Sequence, residues 1–299
     1  MRFALLIMWL LHWLPLPVVA RIGEGLGSLF YLVLRRRRHI CLTNLRLCFP
    51  DMPETERKKI ARRHFQVYVR SVLERGILWW ASEQRLRRLI HVEYAMPMEE
   101  IVTSPTVFMC PHFVSLDVAG VAVMLESSLC SIYTRQRNKV FDQALRKGRS
   151  RFRPVKLFSR AEGVKPIIRA MKENLPFFML PDMDFGFKDA EFVPFFGVSA
   201  ATLTALPRIA AATGAKVIPV IASIRPGYTG WNVKFDQAWQ NYPDASLTDA
   251  TRQMNAYIEN EILAMPAEYF WTHRRFKTRP NNEASLYQES RPQFYDTQP

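Results

Sequence analysis

The stretch Thr106-Val107-Phe108-Met109-Cys110-Pro111-His112-Phe113-Val114-Ser115-Leu116-Asp117, with the apolar run Val118 to Leu125 and then Leu129-Cys130-Ser131-Ile132-Tyr133-Thr134, decides the fold class. A short apolar run closed by proline reads as a buried strand. The run that follows Ser115 reads as a helix, and Leu129 to Thr134 as a second strand. Strand, turn, covering helix and strand make up the unit from which parallel sheets are built.

The alternation continues outward in both directions. Downstream lie a helix around Gly163 to Glu173, a strand Phe177 to Leu180, a helix around Thr202 to Ala212, strands Val217 to Ile224 and Trp231 to Phe235, and a helix Leu247 to Leu263. Upstream, Pro53 to Ile90 is basic and helical in period, as one long helix or two short ones. The expected fold is α/β: a single mixed, largely parallel sheet flanked by helices. No internal repeat, low-complexity tract or Pro/Gly/Ser linker divides the chain.

Composition narrows the function. With 299 residues and 48% apolar content, the chain can bury a substantial core and is not a disordered tail. Its 41 Lys+Arg against 27 Asp+Glu leave a net charge of +14, which favours anionic partners such as phospholipid surfaces or phosphorylated substrates. Aromatic platforms interleaved with the basic residues, or a nucleic-acid-binding module, are not present, so nucleic acid is not an expected partner. Cys41, Cys48, Cys110 and Cys130 lack metal-ligand spacing and fit buried thiols in a reducing compartment. Cys110, two residues before His112, could form a thiolate–imidazole pair only at an accessible, electropositive position.

The N-terminus reads as a membrane segment. Phe3 to Ala20 is almost wholly apolar, broken by His12, Pro15 and Pro17, and the prolines should kink or end a helix near Leu14. A second apolar run, Leu26 to Leu34, follows a Gly-rich bend and ends in Arg35-Arg36-Arg37-Arg38. Val18-Val19-Ala20 fits a signal cleavage site only weakly. An uncleaved helical anchor is expected, with the arginines on the cytoplasmic side against anionic headgroups. Residues 1–38 then form the membrane anchor and basic juxtamembrane segment, and residues 39–299 the catalytic domain. A buried core helix followed by a solvated charge run is the competing reading.

His112 and Asp117 are the candidate chemistry. On one continuous helix they would stand about 140° apart, but a loop carrying His112 and a helix starting near Ser115 can bring Asp117 back to the ring. Such a pair makes a general base. Asp117 is equally suited to a helix start beside an unrelated histidine.

Several later motifs add to this pair. They are Pro181-Asp182-Met183-Asp184-Phe185-Gly186, then Phe192-Val193-Pro194-Phe195-Phe196-Gly197 with Ala201-Thr202-Leu203-Thr204, and finally Trp271-Thr272-His273-Arg274-Arg275-Phe276-Lys277-Thr278-Arg279-Pro280. In type and order, Pro111-His112 with Asp117 and these motifs resemble the late acyltransferases of lipid A biosynthesis, the lauroyl/myristoyl family within the lysophospholipid acyltransferase superfamily. The His-x4-Asp element marks the broad superfamily, and the C-terminal run is more specific. Together they cover residues 1 to 287.

The resemblance implies transfer of a fatty acyl group from acyl-acyl carrier protein to a hydroxyl of a lipid A precursor, an anionic glycolipid of the Kdo-lipid IVA type. It implies His112 as base, Asp117 as the group that orients it, no covalent intermediate, and neither metal nor cofactor. It places the enzyme on inner-membrane phospholipid of a Gram-negative bacterium, facing the cytoplasm. Arg135 is a candidate for stabilising the thioester oxyanion, a role Arg137 could share or exchange for substrate binding. The family commonly has Tyr-Arg-Pro here, where this chain reads Tyr133-Thr134-Arg135-Gln136-Arg137-Asn138. Arg149 and Arg151 are candidates for acceptor phosphates, and Arg274 and Arg275 for phosphates or the acidic carrier protein. Asp182 or Asp184 carries the functional aspartate of its motif. Thr202 is a further substrate-side candidate, although Ser199 and Thr202 also suit helix caps.

Outside the resemblance, Asp182-x-Asp184 suggests a metal-dependent, membrane-associated glycosyltransferase. An acyltransferase acting on another glycolipid or a lysophospholipid is a further alternative. Gly197-Val198-Ser199-Ala200-Ala201 departs from a nucleophile elbow at its last position.

Overall fold

The computed structural model describes residues 2–243 and 246–288, so Met1, Asp244, Ala245 and the end of the segment 39–299 lie outside the described residues. In chain order the helices and strands are α1 Arg2–Leu11, α2 Leu16–Val33, α3 Arg35–Cys48, α4 Glu54–Trp80, α5 Glu83–Leu89, β1 Ile90–Tyr94, α6 Met98–Ile101, β2 Thr106–Met109, α7 Leu116–Glu126, β3 Leu129–Tyr133, α8 Lys139–Gly148, β4 Val155–Ser159, α9 Lys165–Lys172, β5 Phe177–Met179, β6 Ala190–Phe195, β7 Val198–Leu203, α10 Ala205–Thr213, β8 Lys216–Ile224, β9 Trp231–Phe235 and α11 Leu247–Ala264.

Seven strands form one sheet in the order β1-β9-β8-β2-β5-β3-β4, with every pair parallel except β8 with β9. The fold is therefore α/β with a mixed, mostly parallel sheet. Because both faces are covered, the central strands are apolar throughout: all four residues of β2 are buried. Successive side chains go to opposite faces. Val107 and Met109 join a core with α3, α9, α10 and α11, while Phe108 and Cys110 join a second core with α1, α5 and α7. The long helix α4 closes one end, giving Phe65 to the first core and Ile77 to Trp79 to the second.

The structure departs from the sequence reading in three places. Gly23, Gly25 and Gly27 do not bend the chain but sit inside the continuous helix α2. A Cβ on Gly23 would lie 2.5 Å from the Arg70 Cα, and one on Gly27 would lie 2.4 Å from the Phe65 carbonyl, so the glycines bring α2 against α4. Ser199 and Thr202 belong to β7, which pairs antiparallel with β6 in a separate two-stranded hairpin. The helix begins later, at Ala205, and neither residue caps it. The elements β1, α8 and β4 lie in stretches too polar to stand out by period alone.

Candidate active site

Strands β2 and β5 are parallel neighbours with Met109 opposite Met179. Three residues past each, the chain delivers His112 and Asp182 to one place beyond the carboxyl ends of the strands, where open α/β sheets hold their ligands. His112 Nδ1 lies 2.7 Å from Asp182 Oδ1, and the same carboxylate accepts the His112 backbone N–H at 3.1 and 3.2 Å. A carboxylate only accepts, so Nδ1 carries a proton, and in the neutral form of the ring Nε2 is the nitrogen with the free lone pair. Burial alone would raise the Asp182 carboxyl, but the imidazole and the backbone N–H of His112 outweigh it and bring the pKa down to about 2. The Phe270 ring lies at 25° to the imidazole, and the Phe270 N–H donates to the His112 carbonyl at 3.0 Å.

Asp117 stands elsewhere. It occupies the first turn of α7, where Arg75 Nε of α4 donates to its Oδ2 at 2.6 Å and Arg149 Nη2 to its Oδ1 at 2.8 Å. Burial opposes its ionisation, yet the two guanidiniums hold it well below the usual carboxylate range. Among the described residues no hydrogen bond joins it to His112. The sequence reading that Asp117 orients the ring is therefore corrected: the turn after β2 points His112 toward β5, and two arginines occupy Asp117.

His112, Arg75 and Arg149 line one cavity of about 630 Å³, together with Tyr68, Arg160 and Lys188 and an apolar wall that includes Phe177, Phe178 and Met179. A narrower apolar slot opens beside it past Leu116, Ser131 and Phe178, between Val121, Met124, Leu129 and Leu157. The site thus joins a basic mouth to a greasy interior.

The remaining candidates divide by position. Arg135 and Arg137 are exposed on the loop before α8 and do not line the cavity, whereas their neighbours Thr134 and Gln136 do. Arg151 is spent on the end of α4, donating to the Leu78 carbonyl at 2.9 Å and the Ala81 carbonyl at 2.7 Å. Arg274 lies over the Tyr287 ring. Arg275 is 1% exposed and donates to the Ala201 carbonyl, Thr202 Oγ1 and Asn255 Oδ1, so it and Thr202 form an internal knot and do not line the cavity beside His112.

Asp184 points away from Asp182. It accepts the backbone N–H and hydroxyl of Thr278 at 2.6 and 2.7 Å, clasping the C-terminal motif to the loop after β5. The two aspartates do not converge as metal ligands would, and no group of three metal-ligating side chains occurs among the described residues. His273 accepts the Asp184 backbone N–H, and burial lowers its pKa to about 4. Burial pushes the Cys110 thiol well up, which leaves no thiolate beside the histidine.

Sequence reasoning did not select Arg75, Arg160 or Lys188. Tyr68 and Arg75, seven residues apart, share a face of α4, a signal that becomes useful only once α4 is known to close the cavity.

The model of the bacterial lipid A biosynthesis acyltransferase family matches residues 2–278. The chain belongs to this family. It is 30% identical over 288 residues to the lipid A biosynthesis palmitoleoyltransferase of Escherichia coli K12, covering 95% of this chain and 93% of that one. The lauroyltransferase of the same organism is 31% identical over 286 residues, covering 94% and 92%. The myristoyltransferase of that organism is 27% identical over 278 residues, covering 91% and 83%. The protein is an O-acyltransferase of lipid A biosynthesis.

Proposed function

We propose that the protein moves a fatty acyl group from acyl-acyl carrier protein to a hydroxyl of a Kdo-lipid IVA-type precursor, with His112 as general base and no covalent intermediate. The observation that carries this reading is the His112–Asp182 pair at the mouth of the basic cavity. Nε2 takes the proton of the acceptor hydroxyl as its oxygen attacks the thioester carbonyl. The tetrahedral oxyanion collapses, the C–S bond breaks, and the imidazolium returns the proton to the departing thiolate, which leaves as the thiol and restores the neutral base.

Asp182 holds Nδ1 and compensates the imidazolium charge. Asp117 holds Arg75 and Arg149 on the cavity wall, and Arg149 is our candidate cation for the oxyanion. Arg160 and Lys188 suit acceptor phosphates, and the apolar wall of the cavity suits the acyl chain. Residues 1–38 serve the membrane and 39–299 the acyl transfer, on the cytoplasmic side of the inner membrane with phospholipid beside the site.

The test is turnover of acyl-acyl carrier protein and Kdo-lipid IVA, with the acylated lipid weighed by mass spectrometry. His112→Ala should lose roughly 10²–10⁴-fold in rate. Wild-type turnover in that variant would remove the general-base role.

A further inference from the structure

Fourteen of the twenty large apolar side chains exposed among the described residues fall between Phe3 and Leu34. By length and composition α2 could cross a membrane. Its packing forbids that. Leu16, Val19, Ala20, Gly23 and Gly27 form its buried stripe, and through the two glycines its backbone touches that of α4. Helix α1 continues the contact, since a Cβ on Gly76 would lie 2.5 Å from the Met8 carbonyl. The elbow between α1 and α2 is pinned to the body by Arg85, which donates to the carbonyls of His12 and Leu14.

Along this seam α4 carries Arg63, Gln66, Arg70, Glu74 and Arg75. Arg63 pairs with Glu24 of α2 at 3.0 Å, and Arg70 with Glu74 at 2.5 Å. A hydrocarbon core about 30 Å thick that enclosed α2 would therefore enclose these charges too. Insertion penalises each charged side chain heavily. Helix α1, with ten residues, is too short to cross by itself.

We infer that α1 and α2 form a docking surface that lies in one leaflet of an anionic phospholipid bilayer and that no part of this pair crosses it. The outer face supplies the apolar contact through side chains such as Leu10, Trp13, Leu29 and Val33. Charge complementarity supplies the rest. Arg2, Arg35 and Arg36 are exposed at the ends of the helix pair, whereas Arg37 and Arg38 are engaged with the carbonyls of Thr272 and Tyr31. Apolar and basic faces in this arrangement bind in the interfacial plane. The inference rests on the membrane association in the proposed function and not on its acyl-transfer chemistry.

Cysteine reporters test the sidedness, because the four native cysteines are buried. Full-length Arg2→Cys, Arg36→Cys and Lys172→Cys variants are treated in spheroplasts with a membrane-impermeant maleimide, before and after permeabilisation. All three should label only after permeabilisation. Labelling of Arg2→Cys in intact spheroplasts would show a span and overturn the inference.

In parallel, the protein should sediment with phosphatidylglycerol/phosphatidylethanolamine vesicles, and Leu29→Glu/Val33→Glu should weaken that binding about a hundredfold. Undiminished binding of the double variant, or no binding by the wild type, would equally overturn it. Turnover of the double variant on detergent-dispersed acceptor should persist, which separates failure of docking from failure of the chemistry.

Discussion

The cluster around His112 and the knot around Arg275 both hold charged side chains almost free of solvent, yet only the first of them faces the basic cavity. In the knot, Arg275 donates to the Ala201 carbonyl, Thr202 and Asn255 deep inside the protein, and its plane covers the Phe195 ring. At the site, Asp182 satisfies one edge of His112 and leaves Nε2 on a cavity. Burial of charge therefore does not by itself mark function. An unspent valence facing open space does, because a proton can be taken only by an atom that is not already bonded.

The largest expected effect is at Asp182. Asp182→Asn keeps the shape but can stabilise the wrong tautomer, and kcat should fall roughly 10³–10⁴-fold with the melting curve little changed. Steady-state kinetics on folded protein check this, and a fall of less than tenfold would break the contrast. In the knot the same kind of change should spare the chemistry: Arg275→Met should cost about 3 kcal/mol of stability by stranding its partners, with kcat at low temperature within threefold of wild type. Urea unfolding together with turnover reads both.

Asp117→Asn lies between the two. By loosening Arg149 it should lower kcat roughly 10²-fold, or about 2.7 kcal/mol in the barrier.

Smaller effects follow from titration. His64, buried, and His273, half-buried, are neutral with pKa values lowered to about 4, while desolvation raises Glu268 to about 7. From about pH 6.5 down to 4.5 the unfolded chain binds two more protons at the histidines, and the native protein binds one more at Glu268. Through these three groups stability should fall with acidity by about 1.4 kcal/mol per pH unit, and Glu268→Gln should steepen the slope to about twice that. Denaturation midpoints measured across this window check the sign. Smallest of all, Arg135→Ala and Arg137→Ala should each change turnover by less than about threefold, since exposed arginines away from the cavity contribute little.

The sheet was legible because its strands are short apolar runs punctuated by Pro and Gly, and the buried Val107–Met109 and Phe177–Met179 stretches could hardly be read otherwise. The hairpin of β6 and β7 was hidden because Phe192 to Gly197 also reads as a motif loop and Thr202 as a cap. At the site, His112 and the Asp182 motif could be picked from sequence, but their partnership could not. It depends on the register of β2 beside β5, which joins residues seventy positions apart. The spacing from His112 to Asp117 suggested a local pair instead, and the arginines that claim Asp117 come from α4 and from just past α8. The N-terminal apolar runs were visible, but the glycine seam that holds α2 to α4 appears only in three dimensions.

The central claim is that Asp182, and not Asp117, fixes the His112 tautomer. Nitrogen-15 NMR of the His112 imidazole, compared across wild type, Asp182→Asn and Asp117→Asn, reads this directly. A protonated Nδ1 with a bare Nε2 should persist in Asp117→Asn and be lost in Asp182→Asn, and the opposite pattern would contradict the account.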